Sequence, residues 1–274
     1  MSTTSAHHPV RRAMRSPIVW MLVGIVGVGA VSALTSGGSP VLAVAGAVAA
    51  VAVYRLVMHH VAGRSTPEIA AARSGIQALL GIVLGLVFIG ASMLAVLTEF
   101  SFARSSGDAL PIVASMAAVS LGGAVTEELL FRGLALQALE RLCGSWPALA
   151  ITSVLFGLVH LANPDASLWS SFAIAVEAGV LLGASFLWRR NLWLTIGLHF
   201  AWNTAVGLIG IPVSGHPANG LLVTRPTGPD LVTGGDFGIE ASIVPIVVSL
   251  LLAVPMLVAA HRRGNLVPVR RSRR

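Results

Sequence analysis

The chain has 274 residues, 55% of them hydrophobic and 11% charged, with a mean hydropathy of +0.84. That composition excludes a soluble domain, whose surface must be polar, and indicates a polytopic membrane protein. The net charge of +7 comes from arginines in short clusters beside apolar runs, which the positive-inside rule explains without a nucleic-acid partner.

Residues 1–16 read as a basic cytoplasmic tail. A first span is predicted over 17–35. A cleaved signal peptide is the competing reading, since Val31-Ser32-Ala33 resembles a cleavage site, but the apolar run is long for one. Spans over 40–59 and 75–97 complete an N-terminal block of three transmembrane helices, 17–109. The fourth, 110–142, would be about 48 Å long as straight helix against a hydrocarbon core of about 30 Å, so it must tilt, protrude or break. Gly122-Gly123 is the natural break. Gly144 and Pro147 mark a tight turn, and Cys143, the one cysteine, excludes an internal disulfide and a thiolate zinc site. Spans over 147–161, 170–188 and 192–211 complete a core of helices four to seven, 110–211.

Residues 212–240, rich in Gly and Pro with Asp230, Asp236 and Glu240, read as an irregular extracytoplasmic loop. The last span, 241–260, lies in a final segment, 241–274, that ends in a basic tail. The expectation is an all-α bundle of about eight transmembrane helices in the cell membrane, with both termini inside. All arginines except Arg104, Arg225 and the intramembrane Arg132 then fall on the inner side, as the positive-inside rule requires. Trp169, Trp188, Trp193 and Trp202 read as interfacial anchors. His59, His60, His216 and the N-terminal histidines lie outside the core and read as inert. No internal repeat is visible, and the sequence carries no signal for oligomeric state.

Ionisable groups at membrane depth are costly and mark function, which singles out Thr126-Glu127-Glu128-Leu129-Leu130-Phe131-Arg132-Gly133. If spans four and five form a hairpin turning at Gly144, Glu128 lies level with His160, and Glu127 is one step away. Span seven adds His199 and Asn203, an i, i+4 pair on one face. Such groups suit amide hydrolysis: a glutamate as base for water, a histidine to share the proton, and an asparagine with a second imidazole to stabilise the oxyanion. Arg132, at i+4 from Glu128, can fix the second carboxylate. Each has a plainer reading, a packing salt bridge for the acidic pair and Arg132, and interhelical hydrogen bonds for the others. Glu177 reads as a partner of Arg132 or a cavity-lining group.

Glu127-Glu128-Leu-Leu-Phe-Arg132, then Phe156-Gly-Leu-Val-His160, then His199-Phe-Ala-Trp-Asn203 resemble, in order, the EExxxR, FxxxH and HxxxN motifs of the CPBP family of intramembrane proteases. That family includes the CAAX prenyl endopeptidases and bacteriocin-processing and immunity proteins. The resemblance covers roughly residues 125–203. It implies a multi-pass endopeptidase for a membrane-embedded or lipidated peptide, in which Glu127 and His160 activate water. His199 and Asn203 would stabilise the oxyanion, and Glu128 and Arg132 would support the site. A metal-free glutamate mechanism is expected, with zinc at Glu127, His160 and His199 as the alternative. The competing function is a non-enzymatic immunity factor or transporter using the same cluster for binding. A transporter usually shows repeated halves.

Overall fold

The computed structural model describes residues 15–35 and 39–269. Most of the predicted N-terminal tail and the last arginines, residues 270–274, lie outside the described residues. The fold is all-α and is built on eight long helices, counted among the described residues. These are α1 (Pro17–Thr35), α2 (Pro40–His60), α3 (Ser74–Glu99), α4 (Ala109–Cys143), α5 (Ser145–Ala162), α6 (Leu168–Arg189), α7 (Leu192–Leu208) and α8 (Ile243–Arg262). Seven of them are long and apolar enough to cross a membrane. The other, α7, has 17 residues, about 26 Å of helix.

Local chemistry sets the helix ends. Ser167 caps α6 in a capping box with Ser170, while the side chains of Asn191 and Ser242 accept from the first turns of α7 and α8. Gly144 makes the tight turn between α4 and α5 at a φ of +84°, where a side chain would be strained. Two expectations are corrected. Helix α4 does not break at Gly122-Gly123. Gly122 packs against the Ala43 backbone instead, because small residues in membrane helices let neighbours approach closely. The irregularity comes after the acidic pair, as a π-helical segment, Leu129–Leu136. Nor is 212–240 irregular throughout. Strand β2 (Leu222–Pro226) pairs antiparallel with β1 (Phe100–Arg104) from the loop after α3.

Helix α7 is the hub. It is buried along most of its length and packs against α3, α4 and α6, as expected of a helix apolar all round. Its fit against α3 is backbone to backbone. A Cβ on Gly81 would lie 2.1 Å from the Leu194 carbonyl oxygen, and one on Gly197 would lie 2.3 Å from that of Ala78.

Contacts between loops sort the helix ends onto two faces. On one face, Ser105 N donates to Leu221 O, Asn163 Nδ2 to Ser214 O and Trp169 Nε1 to Ala241 O. These join the loops after α3, α5 and α7. On the other, Arg64 donates to Gln137, Arg190 pairs with Glu140, and Val267 N donates to Ser145 Oγ. The Arg15 guanidinium lies beside Gly63 on that second face. Eight crossings with both described ends on one face satisfy all of these contacts.

Candidate active site

Glu128 and Arg132 sit one turn apart on α4, at the start of its π segment, and are 0% and 2% exposed. Arg132 Nη1 donates to Glu128 Oε1 at 2.9 Å, and Nη2 donates to the carbonyls of Ala178 and Gly179 at 2.9 and 3.1 Å. Those carbonyls belong to a second π-helical segment, Ala175–Val180, in α6. A π turn disturbs the regular i→i−4 ladder and exposes backbone acceptors, which is why such turns recur at functional sites. Here the acceptors of one π segment receive the guanidinium carried by the other. Glu128 Oε1 also accepts from His199 Nδ1 at 3.0 Å, so α4, α6 and α7 meet around one buried ion pair.

Phe156 is the apolar centre of the cluster. The Arg132 guanidinium lies 4.7 Å from its ring centroid, Phe131 meets it edge-on at 4.8 Å, and the rings of His160 and His199 lie 4.8 and 6.3 Å away. His160 Nδ1 bonds the Phe156 carbonyl at 2.6 Å. A carbonyl oxygen only accepts, so Nδ1 carries the proton and, in the neutral ring, Nε2 carries the lone pair. His199 is fixed the same way through Glu128, leaving Nε2 at 3.9 Å from Glu127 Oε2.

In front of this cluster lies a cavity lined by Glu127, His160, His199 and Asn203 among others, with about 30 Å³ of space open to water centres, more than the roughly 10–15 Å³ that one water needs. Glu128 and Arg132 sit behind it. Glu127 is partly exposed, and its Oε2 is buried without a hydrogen-bond partner. Among the described residues no three His, Cys, Asp or Glu side chains group as a metal-ligand set.

Two further carboxyls and a tryptophan line the same cavity: Glu177, Glu240 and Trp202. Glu177 is not bonded to Arg132; the guanidinium takes the two carbonyls just after it, and Glu177 faces the cavity, the second of the two predicted readings. Trp202 is no interfacial anchor. It is buried, stacked on Phe88 at 4.1 Å, and its Nε1 donates to Glu240 Oε1 at 2.8 Å. Glu240 Oε2 accepts from the backbone N–H and the Oγ of Ser214, a non-glycine residue held at a φ of +48°. The loop after α7 therefore reaches into the bundle to the level of Trp202. Reading Glu240 as a loop carboxylate missed this. Its signal was the apolar setting, Phe237, Ile239 and Ala241, in an otherwise polar stretch.

Residues 108–205 match the family model described as type II CAAX prenyl endopeptidase Rce1-like. The match runs from the residue before α4 to just past Asn203 and contains all three motifs. It supports the CPBP/CAAX protease family that the motifs resemble, and leaves α1–α3, α8 and Glu240 outside. No curated protein and no solved structure matches the chain.

Proposed function

Taking the CAAX-protease match over residues 108–205 as premise, we propose that this protein is an intramembrane endopeptidase that cleaves a prenylated, membrane-associated peptide with a glutamate-activated water. The observation that carries the reading is the convergence of Glu127, His160, His199 and Asn203, from three crossings, on one cavity with room for water.

In this mechanism Glu127 takes the proton of a water held by His160 Nε2, and the hydroxide attacks the scissile carbonyl. Asn203 Nδ2 and His199 Nε2 donate to the developing oxyanion. His199 already donates from Nδ1 to Glu128, so a second donation needs the imidazolium, which sits between the carboxylates of Glu128 and Glu127. Arg132 and Glu128 fix the imidazole and the α4–α6 spacing without touching substrate.

Glu127→Gln keeps the volume and removes the base. With wild type and variant reconstituted in phospholipid vesicles, a farnesylated Cys-aliphatic-aliphatic-X peptide bearing a fluorophore and quencher should be cleaved at least about 100-fold more slowly by the variant. Equal turnover by the two would overturn the base assignment, and no cleavage by wild type would overturn the peptidase reading. Chelator treatment with metal analysis separates the chemical forms: activity lost to chelator and restored by zinc would replace the metal-free mechanism.

A further inference from the structure

The three motifs account for the base, the water ligand and the oxyanion donors, but not for Glu177. Its side chain is 1% exposed, lines the same cavity as Glu127 and His160, and has a carboxyl oxygen, Oε2, that is buried without a hydrogen-bond partner. Its backbone is held firmly, because Arg132 bonds the carbonyls of the next two residues, Ala178 and Gly179. The sequence thus aims an unpartnered carboxyl into the site from a crossing that carries none of the three motifs.

The surrounding charges fix its form. The titratable groups on the cavity wall with it are Glu127, Glu240, His160 and His199. Arg132, behind the wall, is engaged by Glu128 and the two carbonyls. Glu240 has what an anion needs: the Trp202 indole N–H and two donors from Ser214 reach its oxygens. Oε2 is unpartnered in Glu127 and Glu128 too, but those carboxylates lie beside His199 or Arg132, whereas Glu177 has no ion pair among the described residues, and a buried ionised carboxylate lacking donors or a cation costs far more than the neutral acid. The two non-motif carboxyls are therefore divided, one built as an anion and the other as a carboxylic acid with a proton to give.

We propose that Glu177 is the general acid that protonates the leaving amine, an assignment that rests on the peptidase reading. Glu127 removes a proton from water as the O–C bond forms at the carbonyl carbon. When the C–N bond breaks, the Glu177 O–H proton passes to the departing nitrogen, leaving Glu177 as carboxylate and Glu127 protonated. Transfer of that proton from Glu127 to Glu177 through water in the cavity restores both groups, so the cycle consumes one water and no other reactant.

An amine leaves an amide only when it is protonated, whereas an alcohol leaves an ester with much less help. The test uses the full-length protein in vesicles, the quenched farnesyl peptide, and its depsipeptide with an ester at the bond that mass spectrometry shows wild type to cut. Glu177→Gln should lower amide turnover roughly 100-fold and ester turnover by less than about tenfold. Glu127→Gln, which lacks the base, should slow both substrates. Unchanged amide cleavage by Glu177→Gln, or equal loss on amide and ester, overturns the assignment. Retained ester cleavage shows that the variant is folded. Failure of wild type on both substrates would instead remove the peptidase reading itself.

Discussion

Arg132 ties three crossings together. It sits on α4, donates to two α6 carbonyls and lies over Phe156 of α5. Three acceptors around one planar fork suit a guanidinium and not an ammonium. Arg132→Lys should therefore keep the charge yet lose most cleavage of the farnesyl peptide. Arg132→Ala takes the guanidinium away from the buried Glu128, which keeps the His199 Nδ1 contact, and should lower stability by about 3–5 kcal/mol, read as a fall in the unfolding midpoint in detergent. The Glu128–Arg132 contact was legible because i, i+4 spacing on a helix dictates it. The carbonyl acceptors were not, because a π turn is chosen by its neighbours rather than by local propensity. Glu240 was hidden for a different reason: turn-forming glycines and prolines around it mark a loop, and nothing local shows that the loop folds inward.

The helices themselves were largely readable. Apolar length placed all eight, and Gly144, Pro17 and Pro40 marked ends where the structure has them. What apolar length cannot tell is which side of a helix meets protein and which meets lipid, since both surroundings are apolar. Hence α7, the most enclosed helix, read like the others, and the glycine pair in α4 read as a break when it is a packing surface. The α3–α7 seam makes this testable. Gly81→Ala puts a methyl group against the Leu194 carbonyl, where only backbone could give way. It should destabilise the protein by about 1–3 kcal/mol or more and shift His199 and Asn203, so that thermal unfolding in detergent and cleavage of the farnesyl peptide fall together. An unchanged unfolding temperature would contradict this packing.

Across the molecule, the two sets of loop contacts impose an even number of crossings, and the arginine distribution then orients the bundle. Cys143, partly exposed at the turn after α4, reports that orientation directly. A membrane-impermeant maleimide should label it in inverted vesicles and leave it unlabelled in right-side-out ones, and the reverse pattern would invert the topology. The course of the chain was legible from hydropathy and charge, but the β1–β2 pairing was not, because two short strands far apart in sequence carry no signal of each other. The cavity's size has its own corollary. Room for water is not yet room for a polypeptide backbone with its side chains, so seating a substrate beside Glu127 asks the cavity walls to draw apart. Of those walls, Ser214 and Glu240, which latch onto Trp202 of α7, are the part not made of a crossing helix. Turnover should accordingly follow how readily that latch lets go, and a stiffer bilayer should slow the enzyme even where the bond-breaking steps are untouched.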